Sequence, residues 1–101
     1  MKTVDYQDGL YERLQDQDYA AEYLAEVLAT ESYSTFLLAL RDVIEAKSLG
    51  IGELADEIGV TRQALHKIMS ENGNPRLSTL NKLLHATGFQ ISIKSLESQT
   101  I

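Results

Sequence analysis

Leu54-Ala55-Asp56-Glu57-Ile58-Gly59-Val60-Thr61-Arg62-Gln63-Ala64-Leu65 is the stretch that decides the fold. Leu54 and Ile58 stand one helical turn apart, so a short helix buries both on one face. Ala55 is small enough for a second helix to cross it closely. Gly59 reaches positive φ without steric penalty and suits a tight turn. Val60 follows as a turn residue directed at the core, and Thr61 can cap a second helix. On that helix Leu65 and Ile68 form the inner face, which leaves Thr61, Arg62, Gln63, His66 and Lys67 outward. A helix-turn-helix makes these same demands: two short helices around a tight turn, the second burying one side and presenting polar groups on the other. The outward residues are groove-reading types. Arg can pair with guanine and Gln with adenine. Thr61, His66 and Lys67 suit phosphate, as do Asn72 and Asn74 just past the helix. The pattern therefore predicts double-stranded DNA as a partner. A hairpin that only builds the core is the alternative.

Helical periods continue on both sides. Tyr19, Ala20, Tyr23, Leu24, Val27 and Leu28 repeat at three and four residues, with Asp16 or Asp18 as the cap. Phe36, Leu37, Leu40, Val43 and Ile44 do the same after Ser32 or Ser34. Glu71 to Pro75 reads as a loop. Ser78 is then placed to cap a last helix carrying Leu80, Leu83 and Leu84, which Gly88 ends. Phe89 to Lys94 alternates strictly and predicts a strand, with Phe89, Ile91 and Ile93 on one side. A single strand needs an edge to pair with. The same strand of a second subunit, antiparallel about a twofold axis, supplies one, so a homodimer is expected. A tail packed over its own core is the alternative. The fold expected is thus all-α, with five helices over residues 16–101 and a dimerisation strand at 89–94. Residues 1–15, broken by Gly9, are expected to be flexible or ordered on a partner.

The chain has 101 residues and a net charge of −6, enough for one modest core. Charge is unevenly spread. Residues 1–31 set Lys2 and Arg13 against eight acids, whereas residues 61–101 set five bases against Glu71 and Glu97. Phosphate binding depends on a local basic face, which only the second half offers. The acidic half suits a basic protein, or simply keeps the chain in solution. There is no Cys, which excludes disulfides and thiolate metal sites and favours the cytoplasm. No apolar run approaches the roughly 20 residues that cross a bilayer, and the N-terminus lacks the order of a signal peptide. Neither a membrane partner nor a cofactor is expected. With two His and no Cys, no nucleophile–base constellation emerges, and an enzyme is not expected.

The residues quoted first resemble the helix-turn-helix of lambda-repressor/Cro-like (XRE) regulators. Tyr23-Leu24, Phe36-Leu37-Leu38-Ala39-Leu40-Arg41-Asp42-Val43 and Gly73-Asn74-Pro75-Arg76 are similar to HigA-type addiction-module antidote proteins, over about residues 16–95. The resemblance implies a lambda-repressor-like fold and a dimeric antitoxin of a type II toxin-antitoxin module. Such an antitoxin neutralises a small RelE/ParE-like toxin and represses its own operon. Thr61, Arg62, Gln63, His66 and Lys67 then fall on the recognition helix. Toxins of this kind are usually basic, and Tyr6, Tyr11, Tyr19 and Tyr23 are candidate anchors for one. A stand-alone phage-type repressor, with the same DNA face and no toxin, is the competing reading.

Overall fold

The computed structural model describes residues 9–96. They form six helices: α1 (9–14), α2 (Gln17–Thr30), α3 (Tyr33–Ala46), α4 (Ile51–Ile58), α5 (Arg62–Ile68) and α6 (Leu77–Ala86). The helix pairs α2–α3, α4–α5 and α4–α6 carry the main packing.

Local chemistry starts most of these helices. Asp16 accepts from the Tyr19 amide at 2.9 Å and heads α2. Ser32, not Ser34, heads α3, its hydroxyl accepting from the Thr35 amide at 3.2 Å. Each cap satisfies one of the amides that the first turn leaves unpaired, worth about 1 kcal/mol. The last helix departs from expectation. It starts after Arg76, two residues ahead of Ser78, and no side chain caps it. Tyr33 holds the preceding loop instead, its hydroxyl donating to the Pro75 carbonyl at 3.0 Å.

Three helices stop by the same device. A residue at positive φ turns the chain, and the next amide reaches back five residues. Gly59 (φ 81°) does this for α4, with Val60 N–H on Ala55 O at 2.9 Å. Gly88 (φ 93°) does it for α6, with Phe89 N–H on Leu84 O at 2.8 Å. Ser48 (φ 56°) does it for α3, with Leu49 N–H on Ile44 O at 3.1 Å. Gln17 clamps the second of these turns to the head of α2, donating to Gly88 O at 3.0 Å and Thr87 O at 3.4 Å.

Phe36, Leu37, Leu40, Val43 and Ile44 of α3 lie at the centre of the core. Ala20 and Leu24 join from α2, Leu54 and Ile58 from α4, Leu65 from α5, and Leu80 and Leu83 from α6. The described residues form six helices, not the five expected, because residues 9–14 are helical and bury Leu10 and Leu14, Leu14 completely. Further contacts fix α1 to the end of α3. Tyr11 donates to Glu45 Oε1 at 2.8 Å, Gln15 donates to Ala46 O, and Lys47 returns a bond to Gln15 O.

The expected strand at 89–94 is absent: the described residues contain no strand, and this segment runs as irregular chain. The alternation has another cause. Phe89 and Ile91 are half-buried against the core, while Ile93 is 95% exposed. The period of two holds as far as Phe89 and Ile91, which pack against the core, and a single chain offers no second strand to pair with.

Candidate nucleic-acid interface

The α4–α5 pair is assembled from inside out. Leu54, Ala55 and Ile58 are buried on α4, and Leu65 and Met69 are buried on and just beyond α5. Val60 and Ile68 are half-buried and pack against the same core. Ala55 stays in contact because it has no side chain beyond Cβ to hold the helices apart. Thr61 starts α5, its Oγ1 accepting from the Ala64 amide at 3.0 Å. Gly59 takes its left-handed φ of 81° without strain because it has no Cβ; the conformation, not crowding, is what calls for glycine here.

With that side buried, Thr61, Arg62, Gln63, His66 and Lys67 are all exposed. Asn72 and Asn74 are exposed in the loop that follows. The structure therefore gathers five of the expected residues on α5 and its cap, and the two asparagines on the adjoining loop. That loop folds tightly under α5. Gly73 N–H bonds Ser70 O at 2.9 Å, and a Cβ on Gly73 would stand 2.0 Å from the Ile68 carbonyl oxygen. Arg76, exposed at the end of the same loop, adds a cation next to Asn74.

One arrangement was not legible in the sequence. Arg62 leans back over the first turn of α4, where a Cβ on Gly52 would sit 3.0 Å from its Nε and Nη2. Arg62 thus lines an open cleft with Gly50, Gly52, Glu53, Asp56 and Thr61. The ten-residue separation hides this contact, which exists only once the hairpin has closed.

The candidate anchors for a protein partner lie elsewhere. Tyr11, Tyr19 and Tyr23 are half-buried and pack against the core. Tyr19 accepts from Arg13 Nε at 3.1 Å, with that guanidinium 5.6 Å from the ring centroid. Tyr6 lies outside the described residues. Among the described residues no helix is long and apolar enough to cross a membrane.

Fold and surface together define a small all-helical domain of helix-turn-helix-like build, with a polar face on its fifth helix. Residues 5–95 match the family described as "probable addiction module antidote protein", and the chain belongs to that family. An uncharacterized protein of Haemophilus influenzae is 29% identical over 83 residues, covering 82% of this chain and 84% of that protein. No solved structure matches. Membership of an antidote family points to an antitoxin and implies a toxin partner.

Proposed function

We propose that this protein is the antitoxin of a type II toxin-antitoxin module, acting in the cytoplasm on a small basic RelE/ParE-like toxin. As a homodimer it also represses its own operon through α5. The observation that carries the DNA reading is the exposed row Thr61, Arg62, Gln63, His66 and Lys67 on a hairpin whose other side is buried. Arg62 and Gln63 are the base-reading types, and His66, Lys67, Asn72 and Asn74 supply phosphate contacts. Two such helices about 34 Å apart fit successive major grooves of a near-palindromic operator.

The acidic first half weakens non-specific attraction to DNA, leaving selectivity to the α5 face.

The test has two arms. Co-expression with the product of the adjacent gene is expected to give a stoichiometric complex and to relieve that product's growth arrest. Footprinting on the upstream DNA is expected to show protection that Arg62→Ala or Gln63→Ala abolishes. A harmless neighbour that does not co-purify would leave the stand-alone repressor, whereas intact protection in both variants would remove α5 from the DNA contact.

A further inference from the structure

The outer side of α2 carries a groove between the described residues. Its volume is about 420 Å³; Leu24, Leu28, Leu84, Phe89 and Ile91 give it an apolar lining, and Lys94 is the one charged residue in it. Leu28 stands at its rim, 44% exposed. Large exposed apolar side chains are few in the described residues, and Leu28 belongs to a helix that otherwise buries its leucine. Around α2 the side chains fall into three rows. Ala20 and Leu24 face the core. Ala21, Ala25 and Leu28, spaced by four and three, border the groove. Asp18, Glu22 and Glu26, spaced by four, form the next row round, and all three are exposed. The helix contains no Lys or Arg.

We infer that this groove is where the antitoxin docks its toxin, taking an apolar segment flanked by lysines and arginines. The inference rests on the antitoxin reading for the existence of a basic partner, and it locates the contact on α2 rather than on the tyrosines. Apolar side chains of the partner enter between Leu28 and Ile91, and its cations meet Asp18, Glu22 and Glu26 along the rim. An apolar centre with a charged rim is the ordinary anatomy of such an interface. The charge row decides between occupants. A second copy meeting this surface about a twofold axis would bring the same patch against itself, setting three carboxylates of each copy against three of the other with a single Lys94 per copy to offset them. A basic partner turns that cost into attraction.

The experiment uses the full chain and the purified product of the adjacent gene, titrated at low and high salt. Two variants probe the groove independently: Leu28→Asp, and the double change Glu22→Lys with Glu26→Lys. All three positions are exposed, so both proteins are expected to melt as the original does. Each is expected to bind at least about tenfold more weakly, in the range of an interface anchor, and the charge reversal should also flatten the salt dependence. Lys67→Ala on α5 is expected to bind unchanged. If the original chain binds and both groove variants bind equally well, the groove is not the toxin site. Conversion of a dimer to a monomer by Leu28→Asp without partner would assign the groove to a second copy and overturn the proposal. Failure of the original chain to bind at all would instead bring down the antitoxin reading, and this inference with it.

Discussion

The guanidinium of Arg62 rests against the α-carbon of Gly52, so the first residue of α5 is held by the first turn of α4. The fit is tight: a Cβ on Gly52 would stand 3.0 Å from both Nε and Nη2, so the guanidinium would have to give by a few tenths of an ångström. A methyl there displaces the flexible end of Arg62 and leaves the backbones alone. Gly52→Ala is therefore expected to separate folding from recognition. The protein should melt no lower, and up to about 1 kcal/mol more stably, because alanine favours helix over glycine. Operator affinity should change through the moved guanidinium, and that change should vanish when Arg62→Ala is already present. A double-mutant cycle of operator binding measures the coupling. An effect of Gly52→Ala that persists without Arg62 would mean that the methyl acts on the DNA directly.

Gly73 is constrained more severely, and by backbone. A Cβ would approach the Ile68 carbonyl oxygen to 2.0 Å and the Lys67 carbonyl oxygen to 2.8 Å. Neither atom can rotate away, so Gly73→Ala must unwind the end of α5 or push the loop off it. A loss of at least about 2 kcal/mol is expected, at the upper part of the range for overpacking. Chemical denaturation measures it, and Asn72→Ala one residue earlier serves as the exposed control with little change. A Gly73→Ala protein as stable as the original would show that the loop does not need this contact.

Much of this fold was legible because its signals are local. The buried faces of α2 and α3, the caps Asp16, Ser32 and Thr61, and the turn at Gly59 all follow from spacing or from one side chain and one amide. What escaped depends on the assembled structure. The break at Gly9 hid α1, which shows itself only through Leu10 and Leu14 in the assembled core. The alternation at 89–94 put Phe89, Ile91 and Ile93 on one side of a strand, but the segment forms none, and Ile93 is exposed while the other two pack against the core. Of the candidate interface, the residue types on α5 could be named in advance. The setting of Arg62 against Gly52 could not, nor could the steric need for Gly73, since both depend on which backbone atoms come close after folding.

Ser48 offers a stabilising change. It ends α3 at φ 56°, the conformation that glycine supplies at the ends of α4 and α6. A side chain in this region pays roughly 1 kcal/mol, partly recovered because glycine is more costly to order. Ser48→Gly is expected to raise stability by up to about 1 kcal/mol. Thermal melting of the two proteins decides the sign, and a fall would mean that the serine side chain contributes more than its strain costs.

The last prediction concerns pH. Asp42, half-buried on α3, has its carboxyl pushed above the usual aspartate range, first by burial and second by the charge of Glu45, against the pull of Arg41 and the Tyr11 hydroxyl. Tyr11 also donates to Glu45 Oε1, so one hydroxyl serves both carboxylates. A raised carboxyl binds its proton more tightly in the folded chain than in the unfolded one. At neutral pH the ionised Asp42 therefore subtracts from stability, and this loss is relieved as pH falls through the folded value. Once pH drops below the ordinary aspartate value both states are protonated and the relief is complete. Asp42→Asn keeps the shape and removes the charge, so it should melt above the original protein at pH 7, with the gap closing as the solution is made acid. Glu45→Gln should raise the neutral-pH melting temperature less, because its charge is the smaller cause and the glutamine oxygen can still accept from Tyr11. Melting curves across the acid range test both, and a larger gain from Glu45→Gln would put the charge pair ahead of burial as the source of the shift.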